Sequence, residues 1–164
     1  MPVSEPASPA VASRLFAASI LATMAGIFLG ISLLFVDAGL AVRVAVFLLV
    51  GVVGVLSWLR HTVYYRSDQA RMGWTQERPQ FQMEVGYANL AIGVVALVVA
   101  VFSSDMLAYV LSFFTYGLYL CGALAIHVGE YRADRSSRRR KSILNTTFFV
   151  IVLFFFGLFA LLSA

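Results

Sequence analysis

The chain has 164 residues, 61% of them hydrophobic and 12% charged, with a mean hydropathy of +0.89 and a formal net charge of +4. These proportions fall outside those of soluble domains and exclude one as the body of the protein. The single cysteine, Cys121, excludes an intramolecular disulfide and a cysteine-rich metal site.

Residues 1–14 are rich in Pro, Ser and Ala and read as a short disordered tail. The apolar run behind Arg14 is too long for the hydrophobic core of a cleavable signal peptide, so it reads as a span. In all there are five apolar stretches, over 15–36, 40–59, 83–102, 106–128 and 143–163. Each approaches the roughly 20 residues that a helix needs to cross the hydrocarbon of a bilayer. Backbone in lipid must hydrogen-bond within its own segment. The expected architecture is therefore an all-α membrane protein, a single bundle of five transmembrane helices filling residues 15–164.

Basic residues gather in alternate connections. Arg14 precedes the first span, Arg60, Arg66, Arg71 and Arg78 occupy the second connection, and Arg132, Arg135, Arg138, Arg139, Arg140 and Lys141 the fourth. The remaining connections hold Asp37, Arg43 and Asp105. By the positive-inside rule the N-terminus is cytoplasmic, and five crossings put the C-terminus outside, in a cell membrane of the bacterial inner-membrane kind. The run Arg138-Arg139-Arg140-Lys141 fits a stop-transfer flank on anionic lipid headgroups better than a nucleic-acid site.

Helices gain little by meeting one another in lipid, so small residues and polar contacts mark their seams. The first span repeats Ala18, Ala22, Gly26 and Gly30 at every fourth position. The third aligns Gly86, Asn89, Gly93, Ala96 and Ala100 on one face, and the fourth offers Gly122, Ala125 and Gly129. The fifth is ringed by phenylalanines, with only Gly157, Ala160 and Ala164 as a small stripe, and reads as peripheral and lipid-facing, or as an oligomer contact.

Ionisable groups at spans are costly and usually face the bundle interior or a watery cavity. His61 ends the second span, Glu84 begins the third, and His127 with Glu130 ends the fourth. His127 and Glu130, three apart, are neighbours on one helix surface. Gln82 and Asn89 share the small-residue seam of the third span while Glu84 points to the opposite side, which suggests that this span is central. In the connection before it, Pro79 suits a first helical turn, and Tyr64, Tyr65 and Trp74 fit an interfacial aromatic belt.

The block formed by His61, Gly73-Trp74 and Phe81-Gln82-x-Glu84-Val85-Gly86-x-Ala88-Asn89-Leu90 resembles an uncharacterised family of bacterial multi-pass membrane proteins, a domain of unknown function. His127 is similar to a later histidine of that family, whereas the Arg-rich fourth connection departs from it. The resemblance implies the membrane class, draws attention to Gln82, Glu84 and Asn89, and implies no activity.

The reading that follows is a polar cavity at the cytoplasmic ends of spans two to four, lined by Glu84, His127 and Glu130 with His61, Gln82 and Asn89, and binding a small ligand or cation. His127, Glu130, Glu84 and His61 are the weak metal candidates, since two imidazoles and two carboxylates suit a divalent ion. The alternatives are an oligomeric pore or transporter subunit, and a structural or quinone- or lipid-linked subunit of a membrane complex. Nucleophile motifs, haem-binding cysteine pairs and dinucleotide loops do not occur, so the sequence points to no cofactor and favours no enzyme.

Overall fold

The computed structural model describes residues 7–73 and 79–164, and the regular structure within them is helical throughout. In chain order the helices are α1, Ala10–Leu34; α2, Ala38–Val63; α3, Tyr65–Met72; α4, Gln80–Phe102; α5, Met106–Ala133; and α6, Ser137–Leu162. All but the short α3 are long and apolar enough to cross a membrane. Trp74 and Arg78 lie outside the described residues, as does the side chain of Arg138. The first helix starts at Ala10, inside the tail expected over 1–14, where Ala10 to Ala12 carry no barrier to helix.

Asp37 and Asp105, in the two short acidic connections, are helix caps: Asp37 Oδ1 accepts from Leu40 N at 2.9 Å and Asp105 Oδ1 from Leu107 N at 3.0 Å. Gly73 closes α3 with φ 70°, the left-handed conformation that a residue lacking Cβ takes without strain.

The central helix is α2, not the third span as the sequence suggested. Half of its apolar window is buried, against 17–33% for the other four long helices. The reason is its run of small residues, which lets neighbours approach on several sides. Gly54 meets Gly93 of α4, Gly51 meets Leu97 of α4, and Leu49 fills the notch at Gly26 of α1. Two π-helical stretches, Val46–Val52 and Leu59–Val63, widen its turns. Such turns are rare and frequent at functional sites, and the second one carries Arg60, His61 and Thr62.

The seam read on α4 is realised in full: Gln82, Gly86, Asn89, Gly93, Ala96 and Ala100 are all buried. On α1 Gly26 and Gly30 are buried too, the latter against the ring of Phe156. The seam expected on α5 is not used. Gly122, Ala125 and Gly129 are exposed, and nothing lies within 4 Å of a Cβ added at either glycine. That helix packs instead through its aromatic face on α6, whose opposite face, with Phe148, Ile151, Phe155 and Leu158, is exposed. Phe113 stacks on Phe156 at 5.9 Å and Phe114 meets Phe154 edge-on at 5.5 Å, with Gly117 and Gly157 making room for the opposing rings. Aromatic pairs carry more contact area than small residues can, which is why this face wins.

Candidate functional site

The polar groups inside the bundle start from a residue that the sequence did not single out. Asp68 sits on α3 with no exposed surface. Arg71, one turn on, reaches its Oδ1 with Nε at 3.1 Å and Nη2 at 3.0 Å. From α2, Arg60 Nε stands 3.4 Å from Oδ1 and His61 Nδ1 2.9 Å from Oδ2, neither contact attaining the alignment of a full hydrogen bond. From α4, Gln82 Nε2 donates to Oδ2 at 3.3 Å, and its Oε1 accepts from Gln69 Nε2 at 3.1 Å. Burial alone would raise this carboxyl. The His61 ring and the Arg60 and Arg71 guanidinium groups outweigh it and hold Asp68 below the ordinary carboxylate value.

The geometry also sets the His61 tautomer. Arg60 Nη2 lies 3.0 Å from His61 Nε2, and a guanidinium can only donate. Nε2 is therefore the acceptor, and Nδ1 carries the proton that faces Asp68. The same end of the bundle is closed by α1: Ala12 N donates to Ser67 Oγ at 3.1 Å, Ser67 Oγ donates to Ser8 O at 2.7 Å, and Phe16 takes both Arg60 and Arg71 against its ring, at 5.4 and 4.6 Å from the centroid.

About 10 Å further along α4, at 1.5 Å per residue, Asn89 forms a second polar node. Its Nδ2 donates to Tyr119 Oη at 3.0 Å and to Val85 O at 2.7 Å, while its Oδ1 accepts from Tyr116 Oη at 3.1 Å. Tyr116 and Tyr119 come from α5, so this node joins α4 to α5. Ser57 of α2 lies beside the Tyr116 hydroxyl.

Between α1 and α6 runs a groove of about 770 Å³. Its walls are α1 and α6, and its floor is α2 and α5. Most of the polar lining, Arg60, Ser57, Tyr116, Ser19, Asn145 and Thr146, belongs to the end near Asp68; the far part of the α1 wall is mainly apolar, with Met24, Ile27, Phe28 and Ile31 before Ser32. This volume falls within the roughly 300–1,000 Å³ of small-molecule sites.

The six residues singled out from sequence are distributed over several places. His61 and Gln82 meet at Asp68. Asn89 is buried in the node with Tyr116 and Tyr119. His127 and Glu130 are apart from both, in a cleft of about 380 Å³ that they share with Gly73, Ser136 and Arg139. There His127 Nδ1 is 3.6 Å from Glu130 Oε2, and Arg139 bridges Glu130 at 3.7 Å and Asp134 at 3.0 Å. Glu84 is exposed on the outer face of α4 beside Tyr87. His61 and Gln82 thus meet through Asp68, whereas Glu84 and the α5 pair do not join them. Among the described residues no three His, Cys, Asp or Glu side chains are grouped to hold a metal ion, so His127, Glu130, Glu84 and His61 do not form one ligand set.

Sequence reasoning misses Asp68, which lies in a polar connection with no apolar period, and reads Arg60 only as part of that connection's charge. One signal was present: Asp68 and Arg71 stand three apart, the spacing of neighbours on a helix.

A protein-family model described as a family of unknown function (DUF6790) matches residues 10–164. No curated protein and no solved structure matches the chain.

Proposed function

The chain belongs to the family of unknown function DUF6790, and we propose that it is a membrane-embedded binding protein that takes a small, membrane-soluble ligand into the groove between α1 and α6. The observation that carries this reading is the join between two features. The groove opens sideways between helices long and apolar enough to cross a membrane, and its floor meets the buried polar groups at Arg60, Ser57 and Tyr116. An apolar cavity with a few convergent polar groups is the usual form of a binding site. His61, Gln82 and Asn89 act behind the lining: they hold Asp68 and Tyr116, which in turn set the positions of Arg60 and the hydroxyl.

In this reading the end that carries Arg60 faces the cytoplasm and the C-terminus lies outside, in a bacterial inner membrane. A reporter fused at Ala164 read from inside would overturn that orientation.

The test of the binding reading is native mass spectrometry of the full chain in mild detergent. A small molecule or lipid should remain bound at one equivalent, and Thr23→Phe, which puts a ring into the groove from the α1 wall, should remove it. Retention unchanged in that variant would place the ligand elsewhere.

A second reading, assembly with another membrane helix, is supported by the exposed Gly122, Ala125 and Gly129 on α5. Small residues allow close helix approach. Cross-linking through the exposed Cys121, on the same helix, tests it: a dimer product lost in Gly122→Leu supports self-association, and its absence in bilayers argues against it.

A further inference from the structure

One end of the groove is polar, and it carries positive charge that the described residues do not fully balance. Two guanidinium groups, Arg60 and Arg71, stand around one carboxylate, Asp68. Among the described residues Gln69 and Gln82 add no charge to these surroundings, and the His61 ring, accepting at Nε2, is neutral. The carboxylate is shared unequally. Arg71 grips Oδ1 with two donors, whereas Arg60 reaches the same oxygen only at 3.4 Å and off-line.

Arg60 therefore holds a charge that is only partly met. Its guanidinium has five N–H donors, and among the described residues it hydrogen-bonds only His61. Its side chain is 12% exposed and lines the groove. A cation in such surroundings is costly unless an opposite charge comes to it, and the groove is the open approach. The hydroxyls of Ser57 and Tyr116 stand in the same lining and supply neutral hydrogen-bonding groups beside it.

The level of Arg60 in the bundle agrees with a headgroup. It stands three residues before the end of α2 at Val63, about 4.5 Å along the axis at 1.5 Å per residue. From there the α1 wall continues inward past Thr23 through a mainly apolar stretch, Met24, Ile27, Phe28 and Ile31, to Ser32. Head and chain thus have separate places along one groove.

We infer, resting on the binding reading above, that the ligand is an anionic amphiphile of the membrane, with its carboxylate or phosphate on Arg60 and one hydrocarbon chain laid along α1. The anion completes the charge that Asp68 leaves unmet, and the chain enters sideways from the bilayer without crossing water.

The test uses the full chain in nanodiscs of neutral phosphatidylcholine, with two photoactivatable probes of equal chain length, a fatty acid and the corresponding fatty alcohol. In the wild-type protein the acid should label α1 and α6 peptides and compete roughly tenfold or better over the alcohol, the scale of one charge-assisted hydrogen bond. Arg60→Gln should remove that preference and Arg60→Lys should restore part of it, while Thr23→Phe should suppress labelling by both probes. Equal labelling by acid and alcohol in the wild type, both lost in Thr23→Phe, overturns the anionic headgroup and leaves the groove as a site for neutral ligands. Labelling that ignores Thr23→Phe overturns the groove itself. Because the acid-to-alcohol ratio is read in the wild type, the outcome does not depend on whether Arg60→Gln folds.

Discussion

Gly54 of α2 and Gly93 of α4 meet backbone to backbone: a Cβ on Gly54 would stand 2.8 Å from Gly93 Cα, and one on Gly93 would stand 2.9 Å from Val55 N. No flexible side chain lies between them to move aside, so the separation of the two helices is set by the absence of side chains here.

Gly93→Val should therefore force α2 and α4 apart. Overpacking costs about 1–3 kcal/mol, and the upper part of that range is expected because the obstructing atoms are backbone. Gly122→Ala, at a helical position with nothing within 4 Å, should be neutral or stabilise by about 0.5–1 kcal/mol. Thermal unfolding of both variants in the same detergent checks the contrast; equal behaviour would contradict the packing described.

Asp68→Asn keeps the size of the side chain and removes the charge that Arg60 and Arg71 share. Breaking a buried ion pair by removing one partner costs about 3–5 kcal/mol. The variant should show a clearly lowered unfolding temperature and faster proteolysis, whereas Arg66→Gln, at an exposed neighbour, should not.

The pH dependence follows from the sign of the Asp68 shift. Its folded value is depressed below the ordinary 3.8, so its contribution to stability is fully present above 3.8 and is lost only as the pH falls below that, through the folded value. The gap in unfolding temperature between wild type and Asp68→Asn should persist from neutral pH down to 3.8 and close only below it, with any change near the imidazole range belonging to His61, which faces the carboxylate. A gap that closes well above 3.8 would show that the carboxylate is not held as described.

Asn89 and Tyr116 share a buried hydrogen bond between α4 and α5. In a double-mutant cycle of Asn89→Leu and Tyr116→Phe the coupling should be about 0.6 kcal/mol and at most about 1.7, the range of interhelical bonds in lipid. Equilibrium unfolding in mixed micelles measures it. Coupling indistinguishable from zero would remove Asn89 as the link between these helices.

At the opposite end Arg43 of α2 reaches the last carbonyls of α4, with Nη2 on Val101 O at 2.7 Å and Nε on Ala100 O. A cation there satisfies orphan carbonyls and suits the negative end of the helix dipole. Arg43→Gln should destabilise by about 1–2 kcal/mol, given roughly 1.5–3 for a charged hydrogen bond in burial and partial exposure here. Faster amide exchange at residues 102 and 103 is the signature to measure.

The parts of this fold legible in the sequence are those that depend on periodicity within one helix. The buried face of α4 is the Gly86-Asn89-Gly93-Ala96-Ala100 stripe itself, and Gly26 and Gly30 mark the contact face of α1. Periodicity fails where two faces compete. On α5 the Gly122-Ala125-Gly129 stripe is as regular as that of α4, yet Tyr109, Phe113 and Tyr116 are the buried ones, because α6 offers rings to match them. The candidate site failed differently. His61 and Gln82 were noticed as polar residues near a span end, but their partner Asp68 lies in a segment with no apolar period, and only the turn at Tyr64 that folds α3 back brings it beneath α2.

The fastenings between helices are unevenly distributed. Arg43 ties α2 to α4 at one end, the Gly54 and Gly93 contact joins them midway, and at the other end Asp68 of α3 links them by meeting both His61 and Gln82. The α5 and α6 pair is fastened along its own length by interleaved rings. The two halves nevertheless share one core, in which Leu49 and Val50 of α2 are buried together with Phe113 of α5 and Phe156 of α6. The groove lies where α1, carried by one half, faces α6 of the other, and they touch where Phe156 enters the notch at Gly30. Trimming that ring, as in Phe156→Ala, should therefore loosen α1 from α6 beside the groove while leaving the Arg43 and Asp68 fastenings of α4 in place.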